Sequence, residues 1–130
     1  MSGGQINFPQ ARDVDPRVLE FPVRCGPLIG MSVFTLGVCH TTVVNEKVRV
    51  SRWDLAAGTS TGVHRHSFDY VVVPLTTGRL QIIDSDGIQS TMGLEPGMSY
   101  FRNAGAIHEV RNGEEVPLSF VEVEILSDEV

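Results

Sequence analysis

Apolar and polar residues alternate in short runs along most of the chain, and turn signals separate the runs. The stretch 48–55 alternates at period two, which is the pattern of a strand with one buried face. Comparable short runs occupy 41–44, 70–75, 79–83, 88–92, 99–101, 107–111 and 117–126. Strands of this length and spacing are typical of an all-β sandwich or barrel, and no stretch predicts a long helix.

Turn residues mark where the predicted strands end. Asp86 and Gly87 lie between two apolar runs, and this Asp-Gly pair predicts a tight hairpin. Pro74 has no backbone N–H to donate to a sheet, so we expect it at a strand end or a bulge. The pattern therefore favours one all-β domain with a hairpin near its middle.

The last predicted strand carries charge on one of its two faces. Three β-branched residues alternate with one aromatic and two acidic residues, in the order Phe120, Val121, Glu122, Val123, Glu124 and Ile125. We expect the two glutamates to pair with Arg49 and Arg52 on neighbouring strands, as ordinary cross-strand ion pairs. A catalytic carboxylate pair is the alternative.

The N-terminal part gives a weaker pattern than the rest. Residues 1–17 are polar and are predicted to form an arm, and 18–21 suit a short edge strand. Glycine and proline interrupt the apolar residues of 25–38, which disfavours a helix; this segment either covers the core or packs on a second subunit. We divide the single domain into an arm with cover strands, 1–40, and a barrel, 41–130.

Composition and charge argue against several classes of function. The chain has 130 residues, 42% of them hydrophobic and 20% charged, which fits one globular domain with its own core. Its net charge is -6 and it has no basic run, which argues against nucleic acid and anionic membranes as partners. No apolar run of about 18 residues occurs, so no membrane span is expected.

The first residues and the two cysteines bear on location. Residues 1–5 lack the cationic and apolar regions of a secretory signal, so we expect no secretion. Cys25 and Cys39 are too few for a disulfide framework and are predicted to be reduced thiols in a cytoplasmic protein. A metal-binding or nucleophilic Cys39 beside His40 is the alternative to simple burial.

Three histidines carry the strongest chemical signal. His64 and His66 stand two residues apart, so on an extended backbone both side chains point to the same side. His108 lies in a later strand that the turns could fold back onto this pair. Converging imidazoles can hold one divalent metal ion. For the first pair alone, two exposed or hydrogen-bonded histidines are the alternative.

At these histidines the sequence resembles the cupin superfamily. The first cupin motif is Gly, five residues, His-x-His, three or four residues, Glu, six residues and Gly. Gly58 is followed by the expected five residues and then by the His-x-His pair of His64 and His66, and Gly78 is close to the final glycine. The motif's glutamate is missing from this chain.

The second cupin motif centres on Pro-x-Gly, followed later by Gly-x-x-His-x-x-x-Asn. The later part fits in full, with Gly105, His108 and Asn112, whereas Pro96 and Gly97 are directly adjacent. Together the two motifs span most of the predicted barrel. The resemblance implies a double-stranded β-helix barrel, jelly-roll-like, that forms a homodimer.

The missing glutamate defines the metal site that the resemblance implies. Tyr70 or Val71 stands where most cupins place this ligand, and Asp69 comes one residue early and would face away from the histidines. The metal ligands that the resemblance implies are therefore the three histidines, His64, His66 and His108. With its run His-Arg-His-x-x-Asp-Tyr-Val-Val-Val-Pro-Leu at 64–75, the chain is similar to small cupins associated with β-alanine degradation. Three-histidine cupins also include thiol and β-diketone dioxygenases.

Three neutral imidazoles would leave a divalent metal (Fe, Zn, Ni or Mn) with its full charge and with open positions. Such a site favours small anionic, chelating ligands. We expect a metal-dependent, oxygenase-like enzyme that acts on a small metabolite. The alternatives are a non-redox isomerase or decarboxylase, and a non-catalytic cupin that binds a small ligand.

Several side chains are candidates for supporting this site. Tyr70 is the candidate catalytic residue, with three alternatives: a hydrogen-bond donor to substrate, a fourth ligand, or a core aromatic. Gln81 and Asn112 are candidate partners for the second ring nitrogens of the histidines. For Asn112 a turn role is the alternative, because Gly113 follows it.

Overall fold

The computed structural model describes residues 34–126, and this part of the chain contains strands and no helix. The strands in chain order are β1 (Thr35–Leu36), β2 (Val38–Val44), β3 (Val48–Leu55), β4 (Thr59–Ser60), β5 (His64–Arg65), β6 (Tyr70–Pro74), β7 (Gly78–Asp84), β8 (Gln89–Leu94), β9 (Tyr100–Arg102), β10 (Ile107–Arg111) and β11 (Leu118–Ile125). None of the described residues belongs to a helix that could span a membrane.

The strands form two sheets. One sheet has the order β1-β4-β10-β7-β8, with β5 also paired to β10, and the other has the order β2-β3-β11-β6-β9. From β6 onward the chain passes back and forth between the sheets, so strands distant in sequence become neighbours. This is the predicted double-stranded β-helix. The buried core draws on both sheets and consists of Trp53, Leu55, Tyr70, Val72, Leu80, Leu94, Val110, Leu118 and Phe120.

Most of the predicted strands and turns are confirmed. β3 and β10 have the predicted bounds, and Pro74 is the last residue of β6, where its missing N–H costs no ladder bond. β7 pairs antiparallel with β8 as predicted, through a turn in which Gly87 has a φ of 80°. Residues 56–62, small residues that the sequence pattern predicts to be a loop, contain the short strand β4.

Strand β11 is the central strand of its sheet, between β3 and β6. Its acidic face points inward: Glu122 and Glu124 are buried, whereas Val121 and Val123 are only half-buried. Glu124 lies directly opposite Arg49 of β3 in the register. The face with the charges is therefore the one that faces the interior of the barrel.

The predicted cross-strand ion pairs are partly confirmed. Arg49 contacts Glu124 through two nitrogens, Nε and Nη2, each 2.6 Å from Oε2. The prediction that Arg52 pairs with a glutamate is wrong, because Arg52 bonds to Asp54 of its own strand on the exposed face. Glu122 instead accepts a hydrogen bond from the indole of Trp53 at 3.2 Å.

Predictions for the N-terminal part are tested only at its end. Residues 1–33 and 127–130 lie outside the described residues, so the arm, the edge strand and most of the 25–38 segment stay predictions, as does the domain division. Cys39 is disulfide-bonded, so its prediction as a reduced thiol is wrong. This removes one argument for a cytoplasmic location, because disulfides are rare in the cytosol.

Candidate metal centre

The fold brings the three predicted histidines together. His64 in β5 lies directly opposite His108 in β10. The backbone of His66 is held by the loop before β10: its N–H donates to Ala106 O at 2.9 Å, and its carbonyl accepts from Gly105 N at 2.8 Å. The first motif is therefore fixed to the second by main-chain hydrogen bonds.

The three histidines each place one ligand nitrogen within 4.8 Å of the others, and Nε2 of His66 lies between the other two rings. His66 Nε2 lies 3.0 Å from His64 Nε2 and 3.1 Å from His108 Nε2. Two ligand nitrogens that each lie about 2.1 Å from one ion, with an N–ion–N angle of about 90°, are about 3.0 Å from each other. Three facing Nε2 atoms cannot all satisfy one another as neutral donors and acceptors, whereas a cation between them would use three lone pairs. The residues present therefore fit a divalent metal.

The backbone sets the tautomer of His64. Its Nδ1 lies 2.9 Å from the carbonyl oxygen of Gly62, which can only accept a hydrogen bond. Nδ1 therefore carries the proton, and Nε2 has a free lone pair directed into the cluster. The hydroxyl of Thr61 is 3.2 Å from the same nitrogen and also donates to Gly62 O.

Burial keeps the cluster neutral. It lowers the pKa of His66 to about 2, with smaller contributions from His64, His108 and Arg49. It also lowers the pKa of His108 to about 3 and the pKa of His64 below its ordinary value. Near neutral pH all three rings are thus in the unprotonated form that metal binding requires.

Tyr70, the predicted catalytic residue, stacks on a histidine of the cluster. Its ring centroid is 3.9 Å from that of His66, with 16° between the ring planes. The residue is buried, and burial raises the pKa of its hydroxyl, with Glu122 adding to the effect. Tyr70 supports His66 from the ring face and lines the adjoining cavity; its catalytic role stays a prediction.

The other candidate supports lie elsewhere. Asn112 is fully buried and donates through Nδ2 to the carbonyls of Leu55 and Val116, both at 2.8 Å, so its turn role is confirmed and its role as a histidine partner is wrong. The amide of Gln81 lies against Gly113. Asp69 accepts a hydrogen bond from Ala104 N at 2.7 Å, as expected of a turn carboxylate.

Two carboxylates next to the cluster were not assigned to it from the sequence. Glu122 Oε2 is 3.7 Å from His66 Nε2, and Glu124 Oε1 is 3.9 Å from His66 Nδ1. Burial raises the pKa of Glu122 to about 8, and Glu124 adds to this. The sequence signal was the regular alternation of glutamate with valine, which places both glutamates on one face of the strand without saying that this face is buried.

A cavity of about 210 Å³ adjoins the cluster. Its walls are mostly apolar, with a few polar groups and one cation, and its lining consists of Tyr70, Val72, Leu80, Ile82, Ser90, Tyr100, Arg102, Ala106, His108, Val110, Phe120 and Glu122. Such a mixture, with convergent polar groups in an apolar pocket, is typical of small-ligand sites.

Fold and site define a class: small double-stranded β-helix proteins with a three-histidine cluster inside the barrel. The chain is 46% identical over 83 residues to the beta-alanine degradation protein BauB of Pseudomonas aeruginosa, which covers 64% of this chain and 86% of that protein. With this similarity the chain belongs to the cupin superfamily, as the sequence motifs implied.

Solved structures agree with this assignment. A cupin domain from Bordetella pertussis Tohama I is 41% identical, with a TM-score of 0.69 over 75% of this chain and 100% of that domain. A cupin superfamily protein from Desulfitobacterium hafniense shares the fold at 17% identity, with a TM-score of 0.57 over 95% of this chain and 100% of the other. No protein-family model matches the chain.

Proposed function

We propose that this cupin is a metal-dependent, oxygenase-like enzyme that acts on a small anionic, chelating metabolite. The observation that carries the proposal is the convergence of three neutral Nε2 atoms at 3.0 and 3.1 Å beside a cavity. A bound divalent transition metal would supply a Lewis acid and, in the case of iron, the electrons with which dioxygen reacts. His64, His66 and His108 would hold it.

The cavity supports a small substrate. Its volume of about 210 Å³ is below the roughly 300–1,000 Å³ of sites for drug-sized ligands. Leu80, Ile82 and Val110 line it and would exclude water from the reacting groups. The Tyr70 hydroxyl would donate a hydrogen bond that orients the substrate.

Arg102 supports an anionic substrate. It lines the cavity, and its guanidinium packs over the ring of Tyr100 with 4.7 Å between Cζ and the ring centroid. A guanidinium held in this way can pair with a carboxylate in a bidentate manner. The name of the Pseudomonas relative is consistent with a short amino or oxo acid, of the kind met in β-alanine breakdown.

Metal content is the first test. Protein purified without a chelating tag is compared with His108→Ala and with His40→Ala, whose histidine is exposed and outside the cluster. We expect about one equivalent of metal in the wild type and in His40→Ala, and loss in His108→Ala. Wild-type protein that neither contains metal nor takes it up from Fe(II), Zn(II), Ni(II) or Mn(II) would overturn the proposal.

Oxygen consumption tests the reaction class. Fe(II)-loaded protein is assayed with thiols, β-diketones, and β-amino and β-keto acids. Uptake of oxygen with one of these is the expected result. Turnover that survives replacement of iron by zinc would instead indicate a non-redox isomerase or decarboxylase. No turnover with any metal, together with thermal stabilisation by a ligand, would indicate a binding protein.

We also propose that the chain forms a homodimer, as its family resemblance implies. Sedimentation velocity at micromolar concentration tests this, and a purely monomeric protein would contradict it.

A further inference from the structure

We propose that Glu122 supplies a fourth, carboxylate ligand to the metal from β11, in place of the glutamate that the first motif lacks. This inference rests on the proposed function, because it requires that the three histidines hold a divalent metal. It gives the site a ligand that comes from a different strand and a distant part of the sequence.

The position of the carboxylate is the first argument. Glu122 lies on the inward face of β11 and lines the cavity beside His108. Its Oε1 accepts a hydrogen bond from Trp53 Nε1 at 3.2 Å, which leaves Oε2 to face the cluster, 3.7 Å from His66 Nε2. Two adjacent ligand atoms about 2.1 Å from an ion are about 3.0 Å apart, so a shift of about 0.7 Å would bring Oε2 into the shell.

The second argument is that, among residues 34–126, no arginine or lysine lies within ion-pair distance of Glu122. Glu122 is 5% exposed, and a buried carboxylate is costly unless a cation compensates it. Arg49, the buried cation of this sheet, is bonded to Glu124. Trp53 gives Glu122 one neutral hydrogen bond. A metal ion at the histidines would provide the positive charge that favours the ionised carboxylate.

Neighbouring oxygens are placed less well for this role. The ring of Tyr70 stacks on the face of His66, parallel to the ring that would bind the metal. Asp69 is engaged with Ala104 N. Glu124 lies on the Nδ1 side of His66, away from the converging Nε2 atoms. Glu122 is thus the carboxylate of this sheet that approaches an Nε2 atom.

A fourth ligand of this kind changes the charge of the site. Three neutral histidines leave a divalent ion at +2, and a carboxylate reduces the site to +1. In a six-coordinate ion, two positions would remain for substrate and a second small molecule. The site would keep its capacity for an anionic chelator but hold the metal more tightly.

The test uses the full chain, stripped of metal and titrated with Co(II) as a spectroscopic probe. Glu122→Gln is compared with Glu124→Gln, a buried glutamate on the same face of the same strand. Because Glu124→Gln also leaves Arg49 without its charged partner, circular dichroism first checks that both variants are folded. Loss of an outer-shell partner of a ligand costs about 10–100-fold in metal affinity. We expect Glu122→Gln to lose more than about 100-fold and to change the visible Co(II) spectrum, and Glu124→Gln to lose less and to keep the spectrum.

A measurement on wild-type protein avoids dependence on the folding of a variant. An infrared difference spectrum between the Co(II)-bound and metal-free forms, with ¹³C-labelled glutamate, should show a band of a metal-bound glutamate carboxylate. The band should persist in Glu124→Gln.

Two failures can be told apart. Tight, histidine-dependent Co(II) binding without the glutamate band, and with Glu122→Gln equal to wild type, would overturn the fourth ligand and leave the three-histidine proposal intact. Wild-type protein that binds no Co(II) would overturn both.

Discussion

The ion pair between Arg49 and Glu124 provides a quantitative test of how the barrel interior is built. Both side chains are almost fully buried, 3% and 5% exposed, and two guanidinium nitrogens lie 2.6 Å from one carboxylate oxygen. Arg49→Met removes the cation and leaves the carboxylate buried without its charged partner. Breaking a buried pair in this way costs about 3–5 kcal/mol.

The same strand contains a matched control. Arg52 pairs with Asp54 at 3.1 Å, but these side chains are 51% and 39% exposed. Solvent screens an exposed pair, so Arg52→Met should cost at most about 1 kcal/mol. The double variant Arg49→Met/Glu124→Leu removes both buried charges and should recover most of the loss, because a well-packed apolar pair can replace a buried ion pair.

Urea unfolding of the metal-free proteins measures these differences. A chelator keeps bound metal from adding to stability. With a urea dependence of about 1.5–2 kcal/mol per M, the Arg49→Met midpoint should fall by about 2 M. An Arg49→Met variant within about 1 kcal/mol of wild type, or no better stability in the double variant, would refute the reasoning.

Three further predictions concern stability and substrate binding. Asn112→Ala leaves the buried carbonyl of Leu55 without this donor and removes a second hydrogen bond to the carbonyl of the exposed Val116, so urea unfolding should show a loss of about 1–3 kcal/mol. The pH dependence of stability is measured on metal-free Glu122→Gln, because protonation of Glu122 itself would act in the opposite direction. The free energy of unfolding should fall as the pH drops below about 6.5, since the unfolded chain then binds protons that the buried His66 and His108 do not bind in the folded state. The slope of the unfolding free energy against pH is at most about 1.4 kcal/mol per pH unit for each histidine. A urea midpoint that does not change between pH 7 and 5 would contradict this prediction. Arg102→Gln should raise KM for an anionic substrate about tenfold or more, whereas Arg65→Gln, on the exposed face of β5, should leave KM unchanged.

Local sequence was sufficient for the strands and for the choice of the histidines. Period-two alternation and the Asp86-Gly87 turn act over a few residues, so β3, β10 and the central hairpin could be predicted from those residues alone. The spacing of His64 and His66 placed both on one side for the same reason. His108 was joined to them through the family resemblance.

The interior of the site depended on which strands become neighbours. Glu122 and Glu124 enter the barrel because β11 lies between β3 and β6 with one face turned to the histidines. The alternation in the sequence separates the two faces of this strand but does not say which one is buried. Only the pairing of strands far apart in sequence decides that, so the carboxylates beside His66 became visible in the tertiary structure.

The stacking of Tyr70 on His66 has the same origin. On one regular strand residues 66 and 70 would point to the same side, but the chain leaves β5 after Arg65 and enters β6 at Tyr70, so packing brings the two rings together. The sequence by itself determined the strands and turns, which follow from local alternation and composition, and the candidate ligands, which follow from the spacing of the first two histidines and the cupin motif around His108. The tertiary structure decided the convergence of three Nε2 atoms, the buried charges around them and the cavity they face, because these depend on long-range packing.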